Sequence, residues 1–497
     1  MKKKSKKRVV SLIIMVGIII GIFSFSAIAK TTLNVLATKP QSTVIDNFGP
    51  QWEKVSGVKI NKIEIPYPVL FDKVMTDFIT GTRAYDLICV PADWMGDLAG
   101  GGWLMPLDKL KNEYGYPEWK DVTPAIQKVV KWAGKMYALP FDGDCHNFYY
   151  RKDALENPKY QAKFEKEYGY RYNVPPKTWK EVRDIAKFFN GWDWDNDGEI
   201  EHGIEFIAKR KTQAQWSLID LAAQYTVLHG KTDKYHGVLF FDPETMEPLI
   251  NTPGWIEAMK MLHELTKYGP PGLLSYGYSE NRITFVKGTC AMVFDWGDIG
   301  VMEQNPKKYG STVKGLVGYS PLPGAKKVWD RKENKWLSKY SQTNFLDFGG
   351  WVWVIPKTSK DPGQAYKFIT YVTNPKRSLQ EVTGEVYCGA NPWRFSHFTG
   401  LDEWIKAGWS KKSATAYLKA IRSILNDPEA ALDLRIPGSN EYYDYLDLYL
   451  SKVLAGKMSA ENACKKISEI WENITKKYGK KRQLNIYRES LGLKPLE

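Results

Sequence analysis

Hydrophobic and polar stretches alternate along the first quarter of the chain in a way that predicts strands and helices in turn. Short apolar runs at 32–36, 58–65 and 87–90 have the length and composition of buried strands. Between them, residues 42–55 and 68–79 place apolar side chains at helical spacing. A strand–helix–strand–helix–strand order predicts a parallel, doubly wound α/β sheet.

Polar and aromatic side chains follow the third of these strands. Asp93 and Trp94 come just after the 87–90 run. Open α/β sheets bind ligands beyond the carboxyl ends of their strands. Topology alone therefore makes both residues candidates for ligand binding.

The most informative stretch covers residues 134–155, where an acidic loop separates two apolar strands. Asp142 and Asp144 lie in this loop, and a strand resumes at 148–150. Carboxylates between two core strands can accept hydrogen bonds from a polar ligand. A solvated turn rich in Asp and Gly is the structural alternative.

Two later strands also end in polar and aromatic residues. The run 291–294 leads into Asp295 and Trp296, and a glycine pair precedes a strand in which Trp351 and Trp353 alternate with valine. Strand periodicity places both indoles on the same side. That side is either core or the wall of a cleft.

Four amphipathic helices complete the pattern, and their apolar faces are structural. A capping box at Thr178–Glu181 opens the first, and Thr252–Pro253 opens the second. The third and fourth are predicted over 359–372 and 459–474.

Residues 1–29 have the pattern of a secretory signal peptide, with a basic start, an apolar middle and an Ala-Ile-Ala end. We expect cleavage after Ala29 and export, which leaves the protein periplasmic or associated with the cell surface. The apolar run is shorter than the ~20 residues of a spanning helix. An uncleaved anchor is the alternative.

Charge and composition narrow the class of function. The net charge is +14, but six basic residues lie in the signal segment and the others form no dense stripe, which argues against nucleic acid as a partner. The chain of 497 residues exceeds one core, so two domains are expected. Its 19 Trp and 29 Tyr suit a carbohydrate cleft, where rings cover sugar faces. We expect a monomer.

The five cysteines are scattered and form no C-x-x-C pair. This spacing excludes a zinc ribbon and a thioredoxin-type site. Buried free thiols are the expected state, and one disulfide is the alternative.

An acidic segment at 193–201 reads D-W-D-N-D-G-E-I-E. Alternate carboxylates before a glycine are typical of loops that wrap calcium with oxygen ligands. The proposed ligands are Asp193, Asp195, Asp197 and Glu201. The twelfth position is Ile204, where an EF-hand needs Glu, so the loop is not an EF-hand, and an acidic surface turn is the alternative.

Taken together, these segments resemble the extracellular solute-binding proteins of sugar ABC importers, the family that includes maltose-binding protein. The resemblance covers nearly the whole chain after the signal segment, and its motifs are individually weak but correctly ordered. They are Tyr85-Asp86-Leu87, Trp103 to Asp108, Gly134 to Leu139, Tyr150 to Asp153, Pro175 to Glu181, Gly288 to Met292, Pro321 to Gly324 and Gly349 to Pro356.

The resemblance implies a periplasmic-binding-protein-like fold of type II, with two α/β lobes, each a mostly parallel sheet flanked by helices, joined by a hinge. The implied boundaries are 30–142 and 351–398 for the N-lobe, and 143–350 and 399–497 for the C-lobe. The implied ligand-binding residues are Asp93, Trp94, Asp142, Asp144, His146, Asp295, Trp296, Trp351 and Arg394, with Arg435 as a weaker addition. Arg151 departs from the family, which usually has Asn there.

The leading hypothesis is a secreted protein that captures a mono- or oligosaccharide between two lobes, passes it to an ABC permease and requires no cofactor. A secreted glycoside hydrolase using paired carboxylates such as Asp142 and Asp144 is the second hypothesis. A protein-interaction module with exposed aromatic residues is the third. Sugar-induced thermal stabilisation without cleavage distinguishes the first from the others.

Overall fold

The computed structural model describes residues 31–230, 235, 237–346, 349–427 and 429–496. The predicted signal peptide lies outside these residues. Within the described part of the chain, no helix has the length and apolar character needed to cross a membrane.

The described strands are short. In chain order they are β1 (Thr32–Ala37), β2 (Lys59–Glu64), β3 (Leu87–Pro91), β4 (Lys131–Trp132), β5 (Lys135–Met136), β6 (Ala138–Pro140), β7 (Asn147–Arg151), β8 (His202–Glu205), β9 (Cys290–Asp295), β10 (Val317–Ser320), β11 (Val328–Asp330), β12 (Lys335–Leu337), β13 (Phe345–Leu346), β14 (Trp351–Val354) and β15 (Ala431–Leu432).

Helices surround these strands. They are α1 (Thr43–Ser56), α2 (Tyr67–Thr80), α3 (Met95–Leu98), α4 (Asp108–Tyr114), α5 (Pro124–Val129), α6 (Lys152–Leu155), α7 (Pro158–Tyr168), α8 (Trp179–Phe189), α9 (Ala214–Thr226), α10 (Pro253–Leu265), α11 (Tyr278–Val286), α12 (Asp298–Glu303), α13 (Pro306–Tyr309), α14 (Pro362–Val372), α15 (Pro375–Val382), α16 (Phe395–Thr399), α17 (Leu401–Lys406), α18 (Lys411–Leu425), α19 (Ser439–Leu454), α20 (Ala460–Tyr478) and α21 (Lys480–Ser490).

Two sheets organise the molecule, and we name the lobe built on each after it. The first sheet has the order β2-β1-β3-β14-β6, with β1 parallel to both neighbours and β14 antiparallel to both of its own. The second has the order β10-β7-β9-β8, in which only the β8–β9 pair is parallel. The predicted two-lobed α/β architecture is therefore confirmed.

Strand direction is more mixed than the mostly parallel sheets that we predicted. The chain leaves the first sheet after β6, enters the second at β7 and returns at β14. A strand that arrives from the other lobe lacks the crossover helix that makes successive strands parallel, so β14 can pair antiparallel. The exact lobe boundaries stay a prediction.

Local sequence signals account for where several helices begin and end. Helix α1 ends where Gly57 adopts a left-handed conformation and donates its N–H to the carbonyl of Glu53 at 3.0 Å. At the start of α8, Thr178 and Glu181 exchange side chain-to-backbone hydrogen bonds as the capping box predicts. Strands β3, β7 and β9 are buried along their length, which fixes the loops at their ends.

All five cysteines are buried free thiols. The predicted buried free thiols are therefore observed, and each cysteine packs as a small apolar side chain in the core.

Candidate ligand-binding site

Strand pairing places the predicted binding residues at the ends of the central strands. In the first sheet, Trp351 at the start of β14 pairs with Pro91 at the end of β3, just before Asp93. In the second sheet, Asn147 at the start of β7 pairs with Asp295 at the end of β9. The loop 141–146, which joins β6 to β7, runs from one set of strand ends to the other.

A small cavity of about 30 Å³, which we call the inner cavity, lies between the lobes. It is lined by Lys39, Asp144, Arg282, Trp296, Asp298 and Trp351, among others. Lys39 and Trp351 come from the first lobe, whereas Trp296 and Asp298 come from the second. This volume holds about one water molecule, so the lobes approach closely at this point.

A larger cavity of about 460 Å³, the outer cavity, adjoins the inner one. Tyr67 and Gln213 line both cavities. In the outer cavity Trp94 stacks on Tyr67 with 6.4 Å between ring centres and meets the edge of Phe71 at 5.0 Å. The size lies in the usual range for small-molecule sites, and these rings offer an apolar wall to a sugar face.

Asp142 and Asp144 have different surroundings. One carboxylate oxygen of Asp142 accepts hydrogen bonds from the backbone N–H groups of Gly143 at 2.7 Å and Asn391 at 2.6 Å. Asp144 lines the inner cavity and accepts a hydrogen bond from the side chain of Asn391. Asp142 therefore anchors the crossover loop, and of the two residues only Asp144 lines the inner cavity.

The two carboxyl groups also influence each other's titration. Burial raises the pKa of Asp142 to about 7, and burial together with the charge of Asp142 raises the pKa of Asp144 well above its ordinary value. The pair therefore holds a proton at neutral pH, and it can donate as well as accept a hydrogen bond.

His146 lies behind the inner cavity. Its ring meets the indole of Trp296 edge-on, with 4.1 Å between ring centres, and its Nδ1 bonds the carboxyl group of Asp220. Both His146 and Asp220 are buried. This arrangement positions Trp296, and His146 is not among the residues that line either cavity.

Asp93 is also buried behind the cleft, with 2 % of its surface exposed. Burial, followed by the charge of Asp433, raises its pKa well above the ordinary value. Trp94, the next residue, reaches the outer cavity instead. Of the predicted pair Asp93 and Trp94, only Trp94 lines a cavity of the cleft.

Asp295 is engaged by protein groups on two sides. Its carboxylate accepts hydrogen bonds from Arg282 Nε at 2.8 Å and from Asn281 Nδ2 at 2.7 Å. Arg282 also contacts Asp298 at 3.1 Å, and Asp298 accepts a hydrogen bond from the hydroxyl of Tyr387 at 2.7 Å. Charged groups thus form a network along one wall of the inner cavity.

Sequence reasoning missed Arg282, Asp298 and Tyr387. Asp298 stands in the same Asp-Trp-Gly-Asp segment as Asp295, so the segment carried a signal for it. Arg282 lies on α11 and Tyr387 follows α15, and nothing in their local sequence distinguishes them from surface residues.

The structure places Arg394 away from the cleft. Its guanidinium is fully buried and donates to the carbonyl of Thr373 at 2.7 Å and to the hydroxyl of Tyr116 at 3.2 Å. Arg435 is similarly occupied by the carbonyl of Val129 at 2.7 Å and that of Lys131 at 3.1 Å. Neither arginine lines the inner or the outer cavity, and motif order alone could not reveal these carbonyl partners.

The acidic segment forms a compact loop in the second lobe. One carboxylate oxygen from each of the four predicted ligands lies within 4.8 Å of the others. Glu201 is buried, and burial, with the three aspartates adding to it, raises its pKa. Arg151 donates to Asp195 at 3.0 Å, so the residue that departs from the family pattern already supplies positive charge here.

Comparison with known proteins agrees with this architecture. The profile of the bacterial extracellular solute-binding protein family matches residues 44–387. Mannitol-binding protein of Pseudomonas aeruginosa is 28 % identical over 307 residues, which is 62 % of this chain and 60 % of that protein. A probable ABC transporter-binding protein of Deinococcus radiodurans is 24 % identical over 68 % of this chain and 70 % of its own.

Solved structures show the same fold. A solute-binding protein of Agrobacterium radiobacter K84 in complex with ribitol has a TM-score of 0.70 at 19 % identity, covering 89 % of this chain and 98 % of its own. One from Agrobacterium vitis S4 with bound D-mannitol has a TM-score of 0.67 at 23 % identity, covering 90 % and 99 %. Because the family profile spans more than half of its length, the chain belongs to the bacterial extracellular solute-binding protein family.

Proposed function

We propose that the protein captures a carbohydrate or sugar alcohol between its two lobes and delivers it to an ABC-type import permease. One observation carries the proposal: two adjoining cavities at the junction of the lobes are lined by indoles and carboxyl groups from both sides. Indoles cover apolar ring faces, and carboxyl groups pair with hydroxyls. The mannitol and ribitol ligands of similar proteins support a polyol or sugar of this size.

Each wall of the cleft has a distinct role in this proposal. Trp296 and Trp351 confine the inner end of the ligand, and Trp94 with Tyr67 covers its outer part. Asp144 binds hydroxyl groups, while Arg282 keeps Asp298 oriented. Closure of the lobes removes water from these contacts and produces the form that a permease recognises.

The geometry favours binding without catalysis. A glycoside hydrolase needs two carboxyl groups on either side of the scissile bond, about 5 Å or more apart. Asp142 is instead committed to the backbone N–H groups of Gly143 and Asn391, and Asp144 accepts a hydrogen bond from the side chain of Asn391. We therefore propose that the ligand is released intact and that no cofactor is required.

A thermal-shift and calorimetry screen tests the proposal. The panel contains mannitol, ribitol, sorbitol, maltose and maltotriose, with glycerol as a small polyol control. A ligand present at about one hundred times its Kd adds ~2.7 kcal/mol to the free energy of unfolding, which raises Tm by several degrees. Chromatography of the recovered sugar should show it uncleaved. No stabilisation by any carbohydrate, or the appearance of new reducing ends, would reject the proposal.

Secretion, a monomeric state and a permease partner belong to the same proposal. They are supported by the family to which the chain belongs and by the basic–apolar–small pattern of residues 1–29. Mass spectrometry of the exported protein would locate the cleavage site predicted after Ala29. Static light scattering would give the oligomeric state.

We further propose that the acidic loop of the second lobe binds calcium. Calcium holds oxygen ligands at about 2.3–2.6 Å, so ligand atoms around one ion lie within about 5 Å of each other. The four carboxylate oxygens meet this condition. Their mutual repulsion, evident in the raised pKa of Glu201, favours a divalent cation in addition to Arg151.

Calorimetry on chelated protein tests the calcium proposal. We expect a saturable exothermic or endothermic heat with calcium that disappears in the Asp193→Asn, Asp197→Asn double variant. The matched control is Asp402→Asn, an exposed aspartate outside the loop. Heat that is absent in the unmodified protein, or unchanged in the double variant, would contradict a calcium site.

A further inference from the structure

A third cavity, of about 460 Å³, lies away from the cleft and shares no lining residue with the inner or the outer cavity. One side is formed by the end of α5 and the β4–β5 hairpin, from Lys128 to Gly134. The other side is formed by Arg435, the last turns of α21 and residues 492–495. Its volume equals that of the outer cavity, so it can accept a small molecule.

The charge of this cavity is positive. Lys128, Lys131, Arg435 and Lys494 line it, and Glu489 is the acidic residue among its lining. None of the three lysines forms an ion pair with a carboxylate of the described residues. A cavity with this imbalance attracts an anion.

Arg435 gives the cavity a buried cationic group. Only 5 % of its surface is exposed, and one of its terminal nitrogens donates to the carbonyls of Val129 and Lys131. Its Nε has no hydrogen-bond partner among the described residues. Burial lowers the pKa of Arg435 to about 10, with Asp433 and Asp93 acting in the opposite direction.

A buried guanidinium with an unused donor costs free energy, and an anion near it offsets that cost. Burial, followed by the charge of Arg435, lowers the pKa of Lys128. The positive charges of Lys128 and Arg435 therefore repel each other, and a bound anion would reduce this repulsion.

The remaining lining is apolar. It includes Trp132, Ala133, Ile486, Leu493 and Pro495. An inorganic anion would pair with the cationic side chains but would leave the apolar lining in contact with water. A neutral sugar would neither pair with the cations nor cover the apolar lining well. The chemistry therefore fits a molecule with one anionic group and an apolar body.

We infer that the cavity between the β4–β5 hairpin and α21 is a second binding site, separate from the carbohydrate cleft, for a small organic carboxylate with an apolar body. The carboxylate pairs with Arg435 and the lysines, and the apolar body lies against Trp132 and Leu493. The inference does not depend on the carbohydrate proposal, since the two sites have no residue in common.

Calorimetry with 3-phenylpropionate tests this site. Two matched probes separate the contributions: 3-phenylpropan-1-ol has the ring without the charge, and acetate has the charge without the ring. We expect saturable binding of 3-phenylpropionate only, weakened by added salt. Equal binding of the alcohol, or no saturable heat with 3-phenylpropionate, would overturn the inference.

A double variant locates the site without disturbing the core. Lys131→Gln with Lys494→Gln removes two exposed charges, and we expect it to weaken 3-phenylpropionate binding about tenfold. The matched control is Lys419→Gln with Lys457→Gln, which lie elsewhere on the surface. Mannitol binding should be unchanged in both double variants. Unchanged affinity for 3-phenylpropionate in the first variant would place its binding elsewhere and overturn the inference.

Discussion

At the scale of single residues, some of the predicted binding residues line the cleft, whereas others bond to protein groups behind it. Asp144, Trp296 and Trp351 line the inner cavity. Asp142 and His146, which the sequence placed beside them, bond protein groups instead. Sequence could indicate which loops reach the cleft, because topology fixes the ends of strands. It could not indicate which side chain of a loop turns inward, since that depends on partners distant in sequence such as Asn391.

The first prediction concerns Asp144. Asp144→Asn keeps the shape of the side chain but replaces one of its two oxygens, each of which can accept a sugar hydroxyl hydrogen, with an NH2 group that can only donate. A buried hydroxyl left without an acceptor costs about 1–3 kcal/mol, so the Kd measured by calorimetry for the best sugar should rise about five- to a hundredfold. Stability should not fall, because the amide has the same size as the carboxyl group and cannot carry the charge that burial and Asp142 disfavour. Asp402→Asn is the control, and an Asp144→Asn protein that binds as tightly as the parent would show that the carboxylate is not a ligand contact.

The second prediction concerns pH. The pKa of Asp142 is raised to about 7 in the folded protein, against about 4 for an unfolded aspartate. The folded protein therefore binds more protons between these values, so the free energy of unfolding falls as pH rises through this window. Asp97 and Asp447, with pKa values raised to about 6 by burial, add to the fall.

Urea unfolding at pH 5 and pH 8 measures this dependence. Asp142→Asn removes one titrating group, so the loss of stability between the two pH values should be smaller by roughly 2–3 kcal/mol. The carboxyl groups that remain keep part of the slope. If the variant and the parent lose the same stability over this range, the protonation of Asp142 is not linked to folding.

At the scale of elements, the hydrophobic pattern predicted the helices and strands near the cleft to within a few residues. The predicted helices at 42–55 and 68–79 are observed as α1 (Thr43–Ser56) and α2 (Tyr67–Thr80). Apolar spacing and capping residues are local, so they are legible in one sequence. The antiparallel entry of β14 depends on a return from the other lobe, which no local signal encodes.

The third prediction concerns the glycine pair before β14. Gly350 has a φ of 77°, and a Cβ there would lie 2.7 Å from the carbonyl oxygen of Asp142. Gly350→Ala therefore combines left-handed strain with a backbone clash, and we expect it to cost about 2–4 kcal/mol of stability. Gly57→Ala is the matched control, because φ is 74° and nothing lies within 4 Å. It should cost only about 1–2 kcal/mol. Equal midpoints in urea for the two variants would show that the crossover tolerates a side chain.

At the scale of the whole molecule, the contacts between lobes decide how far the cleft closes. Asp97 of α3 accepts the N–H of Gly438 at 2.6 Å, and Gly96 packs against the backbone of Ile436 so closely that a Cβ would lie 2.4 Å from it. These contacts tie the segment before α19 to the first lobe. Sequence order predicted two lobes with a cleft, but contacts of this kind join residues more than three hundred positions apart and leave no local pattern.

The last prediction concerns a hydrogen bond on the opposite wall. Along the chain, Tyr387 follows α15 and precedes the buried Arg394, which donates a hydrogen bond to Tyr116 of the first lobe. The hydroxyl of Tyr387 donates to Asp298 of the second lobe at 2.7 Å. Arg282 holds Asp298 from the other side. The bond therefore stabilises the closed arrangement and is lost when the lobes separate. Removing it should lower the closed population, and the apparent Kd rises by the same factor.

Tyr387→Phe removes this bond and keeps the ring. A hydrogen bond to a carboxylate contributes about 1.5 kcal/mol or more, so calorimetry should show sugar binding weakened about tenfold. X-ray scattering without ligand should show a larger radius of gyration than for the parent, and saturating sugar should restore the compact value. Tyr309→Phe is the matched control, because this neighbouring ring meets Tyr387 edge-on at 5.5 Å between ring centres, and its hydroxyl has no hydrogen-bond partner among the described residues. If both variants bind sugar equally well and scatter alike, the Tyr387–Asp298 bond does not govern closure, and the apolar walls of the cleft must set the balance instead.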